Sequence, residues 1–303
     1  MKQGLKSGLI GGAAVLALAA GVIGFVPFLL PQRASLDYTE WMKGVSDETA
    51  IRSLNIPGSH DTMALHSIAN LSGQCQTLSL GDQLKLGIRF LDIRLKEEHN
   101  ELKAVHGFID QRVPFRSIAA EVSTFLRLHP SEFIIMSIKE EAASSSSTIS
   151  FEDALKKVVD PGAWYTGSTV PSKVGEVRGK VVLLSRYANS TMGIPAYANW
   201  KDSCSFLMED TGIYVQDYYK VGNIEDKKKE IVSCFNETGH SLKINFLSGY
   251  KSSGFPPSYA PSVANDINAW IDQSVSTYED RGVVLYDFVT SRGMQAFFGG
   301  AKK

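Results

Sequence analysis

The chain has 303 residues, of which 44% are hydrophobic and 10% aromatic, so it can bury a sizeable core in one large or two ordinary domains. Its formal net charge of −1 gives no support for a nucleic-acid-binding surface. The three cysteines allow at most one disulfide and lack the spacing of a metal site. We therefore expect Cys75, Cys204 and Cys234 to be unpaired structural thiols.

An uncharged apolar run covers residues 9–30, behind two lysines. It is long enough to span a bilayer as a helix and longer than the core of most signal peptides. No convincing cleavage site follows it in the sequence. A signal anchor and a cleaved signal peptide with a linker stay open as alternatives for residues 1–35. Both place the predicted folded domain, residues 36–303, on the extracytoplasmic or lumenal side, either membrane-anchored or secreted.

Eight strand-like runs follow, several of them almost continuously apolar, as strands buried on both faces are. Helical periodicity appears between many of them. This alternation favours an α/β fold, a distorted TIM-type (β/α)8 barrel preceded by the N-terminal hydrophobic helix. Distortion is expected because no helix fits between the second and third strands and the link from the fifth to the sixth is irregular. The predicted strands are 52–56, 87–95, 102–106, 133–140, 181–186, 212–217, 243–248 and 282–288, and the predicted helices are 117–129, 151–159, 225–236 and 264–278.

At the end of the first predicted strand the chain reads IPGSHDT (residues 56–62). We expect Pro57 and Gly58 to end that strand, because proline lacks the ladder N–H and glycine frees the backbone. His60 and Asp61 would then lie at the C-terminal end of a strand, where barrels keep their chemistry. From these residues alone, a turn that merely caps the next helix is an equal alternative.

Polar residues recur at the C-terminal ends of the predicted strands, and each is costly to bury without a partner. Two histidines, several carboxylates and arginines at one mouth suit phosphoryl chemistry, with one histidine removing a proton, the other protonating a leaving oxygen, and a guanidinium neutralising phosphate. A metal site is the rival use of His60 and Asp61. A fixed positive charge at Arg94 would compete with a cation, so no metal is predicted. The strand-end set is His60, Asp61, Asp92, Arg94, His106, Lys139, Arg186, Asp217 and Asp287.

Several motifs resemble the catalytic X region of phosphatidylinositol-specific phospholipase C, in that family's order. Beyond IPGSHDT they are LDIR at 91–94, VHG at 105–107, PSEFIIMSIK at 130–139, RGKVVLLSRY at 178–187 and VQDYYK at 215–220. The resemblance covers residues 40–290. It is to the single-domain, bacterial-type, metal-independent enzymes, because an aspartate follows the first histidine and Arg94 stands where calcium-dependent relatives place a carboxylate.

The resemblance implies a role for each site residue. His60 would be the general base toward the inositol 2-hydroxyl, oriented by Asp287, and His106 the general acid for the departing diacylglycerol oxygen, supported by Asp61. Arg94 would bind the phosphate, with Asp92 nearby, and a 1,2-cyclic inositol phosphate would form first. The implied contacts to the inositol ring are Lys139, Arg186, Asp217 and, by stacking, Tyr219.

The implied substrate is phosphatidylinositol or a glycosylphosphatidylinositol anchor at a membrane surface, with no cofactor and a monomeric enzyme. Bacterial-type enzymes dip aromatic side chains into the bilayer, and Phe255 and Tyr259 are the candidates for that rim here. Two alternatives remain, a glycerophosphodiester phosphodiesterase-like enzyme acting on another head group and a catalytically inert lipid- or protein-binding barrel. The inositol-contact residues argue against the first, and the two histidines with Arg94 argue against the second.

Overall fold

The computed structural model describes residues 36–67, 73–251 and 260–299. Within these ranges no helix is both long and apolar enough to cross a membrane. The predicted segment 9–30 and the predicted rim residues Phe255 and Tyr259 lie outside the described residues.

The described elements follow in chain order. The strands are β1 (Ile56–Ser59), β2 (Phe90–Glu98), β3 (Glu101–His106), β4 (Ile109–Pro114), β5 (Ile134–Ser145), β6 (Trp164–Tyr165), β7 (Val181–Arg186), β8 (Ile194–Pro195), β9 (Ser205–Met208), β10 (Ile213–Gln216), β11 (Lys220–Val221), β12 (Leu242–Phe246), β13 (Tyr250–Lys251) and β14 (Val283–Tyr286). The helices are α1 (Leu80–Lys85), α2 (Phe115–Leu128), α3 (Phe151–Lys156), α4 (Ile224–Asn236), α5 (Ala260–Ser274) and α6 (Ser291–Phe297), and single 3₁₀ turns lie at Trp41–Gly44, Ile51–Ser53, Val174–Glu176 and Val275–Thr277.

Parallel strands in the order β7-β5-β2-β1-β14-β12-β10 form the wall of an incomplete barrel. The short strand β6 extends one edge, and β9 pairs antiparallel with β10 at the other. Among the described strands no pairing joins the two edges, so the wall is open on that side. The predicted α/β fold, a distorted TIM-type barrel, is confirmed.

Alternate residues of the wall strands face the barrel interior, as the pleat of a strand requires. In β2, Phe90 belongs to the interior apolar cluster, whereas Leu91 and Ile93 belong to the outer cluster that also contains the buried faces of the helices. Early interior positions are apolar in every part of the wall: Ile56, Phe90, Ile135, Val182, Ile244 and Val283. Later positions of the same faces are polar, so the barrel has an apolar floor and a polar mouth.

The four predicted helices are confirmed as α2, α3, α4 and α5. Helix α2 buries Phe115, Ile118, Val122 and Leu126, a stripe with the spacing of one helix face, against the outside of the wall. Helix α4 is capped by Asn223, whose side-chain oxygen accepts a hydrogen bond from the Asp226 backbone N–H. The helices thus cover one side of a sheet whose other side faces the barrel interior.

The prediction that Pro57 and Gly58 end the first strand is wrong, because both lie inside β1. The Pro57 carbonyl accepts from the Arg89 N–H, while the neighbouring Gly87 carbonyl accepts from the Trp41 indole at 2.9 Å, so the missing proline donor leaves no acceptor unpaired there. A Cβ at Gly58 would lie 2.9 Å from that of Phe90, so the glycine allows β1 and β2 to approach closely.

The third predicted strand exists as β3, but it is not part of the wall. It pairs antiparallel with β2 and then with β4, in a hairpin that extends the mouth. His99 and Asn100 both have positive φ, the backbone that a two-residue hairpin turn requires, so the chain reverses without a helix. The three cysteines are unpaired, as expected.

Candidate active site

The strand ends bring His60, Asp287 and Arg94 together at the mouth. His60 Nδ1 lies 2.7 Å from Asp287 Oδ1, and Arg94 Nη2 lies 2.9 Å from His60 Nε2. A guanidinium only donates, so Nε2 is the acceptor and the ring carries its proton on Nδ1, toward Asp287. Burial lowers the pKa of His60, but the adjacent Asp287 outweighs it, and the pKa is raised above its ordinary value. The imidazole therefore presents a basic lone pair to the cavity.

Asp92 lies beside the cavity at the mouth and connects Arg94 with Arg186. Its Oδ2 accepts from Arg94 Nε at 3.2 Å and its Oδ1 from Arg186 Nη1 at 3.1 Å, while the Asp61 backbone N–H also donates to Oδ2. Burial raises the pKa of Asp92, but Arg94 and Arg186 outweigh it and hold the pKa well below its usual range. Asp92 is therefore a fixed negative charge that orients both guanidinium groups.

His106 ends β3 and faces the same cavity from the hairpin. Its Nδ1 lies 2.9 Å from the Gly73 carbonyl oxygen and 3.6 Å from Asp61 Oδ2. The direct hydrogen-bond partner is therefore the carbonyl, and Asp61 acts as a nearby charge. Asp61 has a positive φ of 42°, and its Oδ2 is buried with no hydrogen-bond partner among the described residues. Burial raises the pKa of Asp61 above its ordinary value.

A row of three cations crosses neighbouring wall strands. Arg94 pairs in register with Lys139, and Lys139 pairs with Arg186. Glu141 lies beside this row, 2.6 Å from Lys139 Nζ and 3.5 Å from Arg94 Nη1. Burial raises the pKa of Glu141, but Arg94 and Lys139 outweigh it and lower the pKa to about 2. The carboxylates hold together like charges that would otherwise repel across the strands.

Trp200 is the centre of a second group on the same cavity. The Arg186 guanidinium carbon lies 3.5 Å from the centre of the Trp200 ring, and the indole N–H donates to Asp217 Oδ2 at 3.0 Å. One aromatic residue thus positions both a cation and a carboxylate. Tyr219 and Tyr250 stand at the rim with ring centres 5.9 Å apart, and the Tyr219 hydroxyl bonds Asp202.

These groups line one cavity of about 620 Å³, within the usual size of a small-molecule site. Asp61 and Asp92 are not among the lining residues, and both are almost fully buried beside the cavity. The lining residues are His60, Cys75, Arg94, His106, Lys139, Glu141, Arg186, Trp200, Lys201, Asp202, Asp217, Tyr219, Ser248, Gly249, Tyr250 and Asp287.

Sequence reasoning missed several members of the site. Glu141 follows Lys139 by two residues, which on a strand places both on one face, so extending the predicted strand by one residue would have found it. Trp200 lies in the irregular link before β9, where no periodicity points to it. Gln76 ties the ends of β1 and β14 together by donating to the His60 and Tyr286 carbonyls, both at 2.8 Å.

Phe108 is a further residue that the sequence reasoning did not single out. It occupies the two-residue turn between β3 and β4 together with Gly107, directly after His106, and its side chain is 81% exposed. Gly107 has a φ of 56°, as the first central residue of a type II′ hairpin turn has. A large apolar side chain is therefore presented to solvent beside the mouth of the cavity.

Comparisons with known proteins agree with this geometry. Residues 54–187 match the family model "Phosphatidylinositol-specific phospholipase C, X domain". The chain is 28% identical over 275 residues to a 1-phosphatidylinositol phosphodiesterase of Listeria monocytogenes, covering 85% of this chain and 83% of that protein. It is 28% identical over 265 residues to a Staphylococcus aureus protein of the same name, covering 78% and 82%.

Solved structures give the same relationship. The phosphatidylinositol-specific phospholipase C of Listeria monocytogenes superposes with a TM-score of 0.68 and 26% identity, covering 88% of this chain and all of that one. A variant of the Staphylococcus aureus enzyme has a TM-score of 0.75 at 23% identity, covering 85% and 97%, and shows the shared fold. Residues 54–187 thus match the X-domain model of phosphatidylinositol-specific phospholipase C, and the chain is similar over most of its length to bacterial-type enzymes of that name.

Proposed function

We propose that this protein is a metal-independent phosphatidylinositol-specific phospholipase C, which cleaves phosphatidylinositol or glycosylphosphatidylinositol anchors to diacylglycerol and an inositol 1,2-cyclic phosphate. The observation that carries the proposal is His60, held by Asp287 on one nitrogen and by Arg94 on the other, in the same cavity as His106. Both relatives named above are 1-phosphatidylinositol phosphodiesterases.

The first half of the reaction is assigned to His60. Its Nε2 lone pair takes the proton of the inositol 2-hydroxyl, and the resulting imidazolium is stabilised by Asp287. The 2-oxygen attacks phosphorus within the same molecule, so proximity replaces an external nucleophile. Arg94 turns its Nη2 from His60 to the phosphate and stabilises the charge that develops on its oxygens.

The second half is assigned to His106. As the bond from phosphorus to the diacylglycerol oxygen breaks, His106 gives that oxygen a proton from Nε2, while Nδ1 stays bonded to the Gly73 carbonyl. The Asp61 carboxylate lies 3.6 Å from the same nitrogen. Slow hydrolysis of the cyclic ester follows with the two histidines exchanging roles.

The remaining lining residues provide the head-group specificity. Lys139, Arg186 and Asp217 bind ring hydroxyls, which need closely spaced donors and acceptors, and Tyr219 packs on the ring face. The stacking of Arg186 on Trp200 fixes the guanidinium before substrate arrives. Leaving these buried polar groups unpaired is costly, so this set disfavours lipids that lack the inositol hydroxyls.

Metal independence is proposed from the position of Arg94. Its Nε lies 3.2 Å from Asp92 Oδ2 and 3.7 Å from Asp61 Oδ2, the two carboxylates that an oxygen-seeking cation would use. Burial lowers the pKa of Arg94, but these carboxylates outweigh it and raise the pKa well above its ordinary value, so the charge is permanent. A guanidinium thus supplies the phosphate-neutralising charge that calcium would otherwise supply.

The proposal includes contact with the bilayer that holds the substrate. Phe108 stands beside the mouth and is 81% exposed, as a side chain that enters the lipid interface would be. The rim residues Phe255 and Tyr259 and the segment 9–30, as a membrane anchor or a secretion signal, remain predictions, as does a monomeric enzyme on the extracytoplasmic or lumenal side.

The test is release of water-soluble inositol phosphate from phosphatidylinositol vesicles, in chelator and again with added calcium. We expect activity in chelator for the wild type and its loss in His60→Ala and Arg94→Ala, with cyclic phosphate as the first product. Activity that requires calcium would overturn the role of Arg94. No activity in either condition would overturn the proposed substrate.

A further inference from the structure

The thiol of Cys75 lies between the two histidines that the proposed mechanism uses, although the mechanism gives it no role. Its Sγ is 3.9 Å from His106 Nδ1. It belongs to two groups of potential metal ligands, one with His60 and Asp287 and the other with Asp61 and His106, and within each group the ligand atoms lie within 4.8 Å of one another. The thiol is therefore close to ligand atoms from both histidines.

A role as nucleophile is disfavoured. Burial raises the pKa of the Cys75 thiol well above its ordinary value, and the charges of Asp287 and Asp61 raise it further. The nucleophilic form of a cysteine is the thiolate, which these surroundings oppose. The same surroundings favour a cation. Six carboxylates (Asp61, Asp92, Glu141, Asp202, Asp217 and Asp287) surround the cavity together with four cationic side chains (Arg94, Lys139, Arg186 and Lys201).

A second observation points to a cation at this thiol. Asp61 Oδ2 and Asp287 Oδ2 are both buried with no hydrogen-bond partner among the described residues. Each belongs to one of the two ligand groups that share Cys75. A buried carboxylate oxygen without a donor is costly, and a metal ion is one of the few partners that can satisfy it.

The distances suit a tetrahedral ion. With bonds of about 2.3 Å to sulfur and about 2.0 Å to nitrogen or oxygen, tetrahedral Zn²⁺ ligands lie about 3.5 Å apart for sulfur and nitrogen and about 3.3 Å for nitrogen and oxygen. The observed separations are 3.9 Å from Cys75 Sγ to His106 Nδ1 and 3.6 Å from His106 Nδ1 to Asp61 Oδ2. These two separations would each shorten by a few tenths of an ångström on binding, and the third, from the Cys75 thiol to the Asp61 carboxylate, lies within 4.8 Å.

We propose that Cys75, His106 and Asp61 bind a thiophilic divalent cation such as Zn²⁺ or Cd²⁺, and that the bound ion inhibits the enzyme. Binding releases the thiol proton and requires His106 to carry its proton on Nε2, so that Nδ1 gives up the Gly73 carbonyl and coordinates the metal. The ring is then held away from its role as general acid. The group of Cys75 with His60 and Asp287 shares the same thiol, so an ion there removes the general base instead.

Arg94 sets the selectivity of this site. Its Nε lies 3.7 Å from Asp61 Oδ2, so a cation at this carboxylate is repelled by a permanent charge. A soft ion is compensated by its bond to the thiolate, whereas Ca²⁺ and Mg²⁺ gain little from sulfur. The site therefore responds to thiophilic ions and leaves the metal-independent mechanism unaffected by hard ones. Inhibition rests on the proposed function, but binding does not.

Binding is measured directly by titrating the purified protein with Cd²⁺ and following the ultraviolet charge-transfer absorption of a cadmium–thiolate bond. We expect the band in the wild type and its loss in Cys75→Ser. The matched control is Cys234→Ser, since Cys234 is another buried free thiol but belongs to neither ligand group. In parallel, Zn²⁺ inhibition of phosphatidylinositol cleavage is measured for each variant relative to its own uninhibited rate, with Ca²⁺ as the hard-ion comparison.

We expect the Zn²⁺ concentration for half-inhibition to rise about tenfold or more in Cys75→Ser, since loss of a ligand costs at least as much as loss of a supporting contact. An unchanged band or unchanged Zn²⁺ sensitivity in that variant would overturn the site, as would the absence of any band in folded wild type. Cys75→Ala provides the same test if the serine variant does not fold. A wild type that shows the band but cleaves no phosphatidylinositol would overturn the proposed function and leave the site intact.

Discussion

Two buried arginines, Arg89 on the helix-covered outer side of the wall and Arg94 at the mouth of the barrel, make different use of the same chemistry. Arg89 Nε and Nη2 lie 2.9 and 2.8 Å from Glu132 Oε2, and its Nη1 donates to two backbone carbonyls. At the mouth, Arg94 has longer contacts, 3.2 Å to Asp92 and 3.5 Å to Glu141, and its 2.9 Å contact is to the neutral nitrogen of His60. Arg89 is fully buried, whereas the Arg94 side chain is 12% exposed.

The difference separates structural from functional use of a charge. Arg89 has short partners for most of its donors, so it has little capacity left for a ligand. Arg94 shares its carboxylates with Arg186 and Lys139, and it can exchange the His60 contact for a phosphate oxygen. A guanidinium that is well oriented but incompletely paired is pre-organised for an anion that arrives later.

The largest effect is expected for the buried pair of Arg89 and Glu132. Glu132→Ala leaves Arg89 buried without its carboxylate, and we expect the free energy of unfolding to fall by about 3–5 kcal/mol, measured by chemical denaturation. The double variant Arg89→Met/Glu132→Leu removes both charges and should recover much of the loss. A single variant as stable as the wild type would contradict the structural role of this pair.

Arg94→Lys tests the role of the arginine at the mouth. It keeps a positive charge but loses the planar fork, so we expect activity on phosphatidylinositol vesicles to fall about 10²- to 10³-fold with little change in thermal stability. Arg89→Lys is the matched control and should show the reverse, a lower stability with activity per folded molecule retained. Equal effects of the two changes on activity would contradict the contrast between a structural Arg89 and a functional Arg94.

Asp287→Asn should shift the pH dependence of the reaction. Asp287 raises the pKa of His60, so its loss lowers that pKa, and the acid limb of kcat/KM moves to lower pH while the maximal rate falls. The raised pKa also stabilises the folded protein. That contribution is fully present below the unfolded histidine pKa of about 6.5 and is lost as pH rises through the folded value. An acid limb that does not move would mean that His60 is not the base.

The smallest effect is expected beside the mouth, at the exposed side chain of Phe108. Phe108→Ser should weaken vesicle binding about tenfold or more, because full burial of a phenylalanine contributes about 1.5–3 kcal/mol, while hydrolysis of water-soluble cyclic inositol phosphate stays unchanged. Leu128→Ser is the matched control, since Leu128 is 60% exposed at the C-terminal end of α2. Equal vesicle binding by the wild type and Phe108→Ser would exclude this side chain from the membrane contact.

Much of the wall and mouth could be predicted because side chains alternate between the two faces of a strand, so an apolar pattern fixes which residues point inward. In 181–186 an apolar run of four residues is followed by Ser185 and Arg186, and the alternation of a strand then places Arg186 inside, at the C-terminal end of β7. The same logic placed Lys139 and Asp287 correctly at the mouth. Main-chain contacts are different, because nothing in the sequence indicates that the Gly73 carbonyl, rather than Asp61, is the hydrogen-bond partner of His106.

Features that depend on contacts between distant parts of the chain could not be predicted. Glu141 was missed because the predicted strand ended one residue before it. Its lack of a partner in the sheet, at a bulge where Leu95 pairs with Glu140 and Lys96 with Ala142, has no signature in the sequence of one strand. Pro57 was read as a strand breaker because its compensating partner, the Trp41 indole, lies far away in the chain. Such long-range compensation overrides local propensity.

The row of Arg94, Lys139 and Arg186 has a consequence for how the protein responds to acid. Three like charges on adjacent strands are held together by ionised carboxylates, above all Asp92 and Glu141. Both carboxylates have a lowered pKa, so their stabilisation is complete above the ordinary carboxyl range and is lost as pH falls through the folded values, which is about 2 for Glu141. Acid denaturation should therefore begin with the strands parting at the mouth, while the apolar floor is still closed.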